Sequence, residues 1–82
     1  MEELYLQDNN IADISPLSEL INLKKLDLSN NLLEDLEPLS ELGNLEFVDL
    51  LGNEIDLSPD SKALEVIEEL EDKGVGVRRE RD

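Results

Sequence analysis

Aliphatic residues recur along this chain at fixed offsets, and the polar residues between them recur with them. Leu4-Tyr5-Leu6-Gln7-Asp8-Asn9 returns as Leu26-Asp27-Leu28-Ser29-Asn30-Asn31, and again as Val48-Asp49-Leu50-Leu51-Gly52-Asn53. The spacing is 22 residues both times. Within each block the apolar residues alternate at period two, the mark of a short strand with one buried face. Ile11, Leu33 and Ile55 follow each strand, and Ile14/Leu36, Leu17/Leu39, Leu20/Leu42 and Leu23/Leu45 carry apolar positions around the rest of each unit. One such unit has too little surface to enclose its own leucines, so the pattern predicts units that stack. Asn9, Asn31 and Asn53 fall where the chain leaves the strand. A carboxamide there satisfies backbone groups inside the bend with both donor and acceptor atoms, which predicts a structural asparagine ladder. Pro16 and Pro38 shape the return path, where proline costs no sheet hydrogen bond.

The period breaks after Leu57. Ser58 before Pro59 reads as a helix N-cap, with Asp60 favouring the positive end of the helix dipole. Ala63, Leu64, Ile67 and Leu70 keep helical spacing with Val66 beside them, while Glu65, Glu68, Glu69, Glu71 and Asp72 form a wet face. Gly74 is a natural stop. Val75-Gly76-Val77 repeats the strand alternation and predicts a fourth strand over the edge of the third. The chain thus divides into repeats over 1–57 (about two and a half units), a helix-plus-strand segment over 58–78, and a frayed charged tail over 79–82.

On these residues the sequence resembles the 22-residue class of leucine-rich repeat, as in bacterial internalin-like proteins and phosphatase-regulating repeat proteins. The resemblance covers roughly residues 1 to 57. It implies an α/β fold: a right-handed solenoid, a short parallel sheet on the concave face, and 3₁₀ or irregular turns on the convex side. Residues 58–78 are similar to the C-terminal helical cap of bacterial proteins of this kind. The family binds diverse proteins, so the resemblance implies no single partner.

Composition narrows the chemistry. Among 82 residues there is no cysteine and no histidine, which removes thiolate nucleophiles and metal sites along with the commonest general base. The chain is therefore expected not to be an enzyme and to need no cofactor or metal. Twenty-two acids against seven bases give a formal charge of −15. Such a surface repels nucleic-acid phosphates and anionic membranes, and it steers the chain toward basic protein partners. No apolar run approaches the roughly 20 residues of a bilayer span, and Met1-Glu2-Glu3 lacks the basic start of a signal peptide. A cytoplasmic location is the expectation, or a surface-exposed one if the chain is a piece of a longer protein.

The residues that alternate with the buried leucines form the candidate binding face. They are Glu3, Tyr5 and Gln7, then Lys25, Asp27 and Ser29, then Phe47, Asp49 and Leu51, with Gly76 and Arg78 from the last strand. Both aromatic residues of the chain, Tyr5 and Phe47, fall on this grid, and aromatic anchors on a polar face are typical of interface hot spots. The alternative for Phe47 is that it merely covers Gly76. Asp27 and Asp49 share a column about 5 Å apart. Such a pair can share a proton or hold Ca²⁺, but an inert, solvated acidic column is expected. Met1 falls on the repeat's first apolar position, in line with Leu23 and Leu45. The other candidate surface is the amino-terminal edge, where Leu4, Leu6, Ile11, Ile14, Leu17 and Leu20 are expected to present an open end of the core suited to a homodimer. Two functions follow: a protein-interaction module, or a structural capping piece or engineered scaffold of a longer repeat array that self-associates through that end.

Overall fold

The computed structural model describes residues 1–80. Each repeat folds as a three-residue strand followed by a loop and, in the first two repeats, a short 3₁₀ helix. Strands β1 (Glu3–Tyr5), β2 (Lys25–Asp27) and β3 (Phe47–Asp49) are joined by β4 (Gly76–Arg78) in one parallel sheet, ordered β1-β2-β3-β4. Pairing follows the repeat without slippage. Leu4, Leu26, Val48 and Val77 form one inward row, while Glu3, Lys25, Phe47 and Gly76 form an outward one.

Asparagine fixes the turn after each strand. The Asn31 side-chain amide donates to the carbonyls of Leu6, Leu28 and Ser29, and its oxygen accepts from the N–H of Ile11 at 3.1 Å. Asn53 repeats this with Leu28, Leu50 and Leu51, and accepts from Leu33 N–H at 3.0 Å. Each carboxamide thereby ties its own turn to the preceding one, which is the expected ladder. The residue one before it adopts left-handed backbone in every repeat: Asp8 (φ 60), Asn30 (φ 57) and Gly52 (φ 75).

On the opposite side, 3₁₀ helices span Ser15–Glu19 and Glu37–Glu41, each with proline in its first turn. Asp13 and Asp35 start them by accepting the N–H of Ser15 and Glu37, both at 2.9 Å. The third repeat opens similarly, with Asp56 accepting from Ser58 N–H at 3.0 Å, and then departs into helix α1 (Lys62–Asp72). The N-cap is Ser61 rather than the expected Ser58: its hydroxyl accepts from Leu64 N–H at 3.1 Å, while Ser58 belongs to the preceding turn and receives Ser61 N–H. Gly74 (φ 90) ends the helix as expected, with Gly74 N–H on Glu71 O and Val75 N–H on Leu70 O, the two bonds of a Schellman motif.

The core runs between sheet and 3₁₀ side as one cluster, from Ile14 and Leu23 through Leu26, Leu33, Leu39 and Leu50 to Val66, Ile67 and Leu70 of α1. Helix α1 packs on the second 3₁₀ helix and on β4. Val66, expected only to flank the helix's apolar face, is part of the core. The tail does not fray at its start. Arg79 Nε lies 3.6 Å from Glu71, and the Glu80 carboxylate accepts from Gly52 N–H at 2.9 Å. Arg81 and Asp82 lie outside the described residues.

Candidate functional site

Strand alternation sends the leucine rows inward and leaves their neighbours on one outer surface, so the predicted grid is assembled by the sheet itself. In register, Tyr5, Asp27, Asp49 and Arg78 make one column across the four strands, parallel to the column of Glu3, Lys25, Phe47 and Gly76. A depression of about 300 Å³ lies between them, lined by Tyr5, Lys25, Leu26, Asp27 and Phe47. It is centred on β2, with the rings at diagonal corners on β1 and β3. Leu51, also on the grid, does not line it. Gln7 is exposed beyond the end of β1.

The polar groups of the face are in different states. The Tyr5 hydroxyl donates to the Glu3 carboxylate at 2.8 Å, and this bond, more than partial desolvation or the charges of Glu3 and Asp27, raises the phenol's pKa. Asp49 is not the solvated carboxylate expected: it is 8% exposed, because β4 covers it, and it accepts from Leu51 N–H at 3.1 Å. Arg78 Nη1 stands 3.8 Å from its other oxygen and supplies the counter-charge. Asp27, half-buried, accepts the Ser29 N–H at 3.0 Å and the Ser29 hydroxyl at 2.7 Å through one oxygen. Ser29 is thus committed to holding Asp27. Phe47 packs close over Gly76, where an added methyl would stand 3.3 Å from Cδ1, and the residue keeps 37% of its surface exposed.

The amino-terminal edge departs from expectation at two residues. Ile14, the residue that precedes the first 3₁₀ helix, is 2% exposed and belongs to the core cluster instead of presenting itself at the open end. Met1 is 69% exposed, unlike Leu23 and Leu45, which occupy the same position in the later repeats inside the core. Leu4, Leu6, Ile11, Leu17 and Leu20 are half-buried against the cluster. Among the described residues no group of three or more acidic side chains converges as a metal-binding set, and no helix is long and apolar enough to cross a membrane.

No curated protein matches the chain. A family model described as Leucine Rich repeats (2 copies) matches residues 1–41 and again 21–61, the span in which the leucine rows, the asparagine turns and the proline-led 3₁₀ helices repeat. The chain belongs to the leucine-rich repeat family.

Proposed function

We propose that the chain is a binding module that engages a protein partner on the outer, concave face of its sheet. Leucine-rich repeats are generally protein-interaction modules, typically without enzymatic activity. The observation that carries the present reading is the placement of both aromatic residues, Tyr5 57% and Phe47 37% exposed, around one depression on a mostly polar face. Exposed aromatic rings that the core does not require are what partner proteins bury first. In this reading the coil is right-handed, as nearly all parallel crossovers are, and α1 with β4 is a lid that ends the leucine rows. The charge of −15 selects basic partners. The test is an affinity scan against a partner captured by the intact chain. Tyr5→Ala and Phe47→Ala are expected to weaken binding by about tenfold or more each, while Glu41→Ala on the 3₁₀ side stays within about twofold. Equal affinity for all three removes the reading.

A second surface is favoured by one specific contrast. Leu26, Leu28, Leu33 and Leu39 are fully buried under the first repeat, whereas their equivalents Leu4, Leu6, Ile11 and Leu17 are only half-buried. That face matches the underside of another repeat, so a further leucine-rich unit, from the same chain or a second copy, is its natural cover. A light-scattering mass of a dimer at high micromolar concentration supports self-association, and a monomer there counts against it.

A further inference from the structure

We propose that the depression over β2 is a subsite for an arginine side chain of the partner, an inference that rests on the sheet face being the binding surface. Three carboxylates approach this face, and two are already committed. Glu3 holds the Tyr5 hydroxyl, and Asp49 is buried against Arg78. Asp27 alone lines the depression with an acceptor edge to spare. Its Oδ1 is fixed by two bonds from Ser29, which lock the side-chain rotamer, while Oδ2 has no partner among the described residues. A carboxylate held this way is pre-organised, so a cation that docks on it loses little further freedom.

The walls select the kind of cation. Tyr5 and Phe47 present exposed rings at opposite corners. A guanidinium is flat, stacks on aromatic faces and sheds its hydration more readily than an ammonium, and its fork reaches a carboxylate with two donors. The space of about 300 Å³ accepts the group and its methylene stem. The net charge of −15 raises the local concentration of cationic segments around the whole molecule.

Lys25 sits on the same depression, and its ammonium forms no ion pair among the described residues. It opposes a guest cation, so the subsite is tuned below its full strength, and removing that charge is expected to tighten it. A carboxylate guest on Lys25 is the competing occupant, disfavoured by Glu3 and Asp27 on either side.

Amide chemical-shift titrations of the intact chain with three blocked tripeptides, Gly-Arg-Gly, Gly-Lys-Gly and Gly-Glu-Gly, test this at fixed ionic strength. The expected result is a saturating response to the arginine peptide centred on Tyr5, Asp27, Ser29 and Phe47, several-fold stronger than to lysine. Asp27→Asn keeps the Ser29 acceptor and so the local fold, and it is expected to cost about tenfold in affinity; Lys25→Ala is expected to tighten binding. Equal responses to arginine and lysine, a response centred on the acidic face of α1, an effect only with the glutamate peptide, or an unchanged Asp27→Asn titration overturns the subsite. The partner affinity scan reports on the face independently: partner binding lost in Phe47→Ala alongside a silent arginine titration rejects the subsite and leaves the binding face standing.

Discussion

Asp8, Asn30 and Gly52 bend the backbone the same way at the same point of three successive repeats. Asparagine and aspartate tolerate that left-handed region and glycine is at ease there, while other side chains pay about 1–3 kcal/mol. At Gly52 the cost is compounded, because an added methyl would land on the Asn30 carboxamide oxygen. Gly52→Ala is therefore expected to destabilise the fold by at least about 1–3 kcal/mol, read as a lower urea midpoint, and Asn30→Gly in that background restores part of the loss. A column of this kind was not legible beforehand, since neither Asp8 nor Asn30 announces its φ; only the register of the repeat points to it. The asparagines that follow were legible, but their inequality was not. Asn31 is 3% exposed and joins two turns, whereas Asn9 is exposed and bonds only Leu6 and Gln7 of its own turn. Asn31→Ala should cost about 1–3 kcal/mol by stranding buried carbonyls, and Asn9→Ala much less. Tyr5, the chain's one tyrosine, offers a separate optical reading. Its neutral form donates to Glu3, so its folded pKa is raised. The matching stability is present below the ordinary tyrosine value and is lost as pH rises through the raised one. An ultraviolet titration should show a midpoint above that of free tyrosine, returned toward it by Glu3→Gln.

At the level of elements, local chemistry decides where the repeat gives way to helix. Two serines compete for the cap, and Ser58 has the more persuasive sequence context because proline follows it. The chain chooses Ser61, since Asp56 closes a turn on Ser58 and the Ser61 hydroxyl also donates to Asp56 O at 2.6 Å. An aspartate-led turn with no fixed spacing to the helix explains why the boundary was misplaced while the helix and its stop at Gly74 were foreseen. Ser61→Ala is expected to lower stability by about 1 kcal/mol, and Ser58→Ala by much less. A reversed order in paired urea melts would put the cap back at Ser58. The strands were readable for a different reason: period-two alternation fixes which side chains go outward whatever the partner strand. The depression was not readable, because it depends on how two rings on strands either side of β2 settle around it.

Across the whole molecule, the sheet face, the leucine core and the strong acidity act together. The four ion pairs among the described residues are long, 3.6–3.9 Å, and three of them are well exposed on at least one partner, so they offset little of the repulsion of 22 acidic groups. Screening that repulsion should stabilise the fold, and the urea midpoint is expected to rise as sodium chloride is increased through about 0.5 M. A falling midpoint would mean that attractive pairs dominate instead. In the proposed binding mode, the same acidity favours cationic partners, and Tyr5 and Phe47 anchor them on the sheet face. Hydroxyl-radical footprinting of the chain alone and with its captured partner tests that claim most directly. Tyr5 and Phe47 are reactive, exposed and on the face, while Leu32 is 43% exposed and outside the predicted grid. Severalfold protection of both rings with Leu32 unchanged is the predicted result; rings that oxidise equally fast in the complex, with Met1 and Ile21 protected in their place, would contradict it.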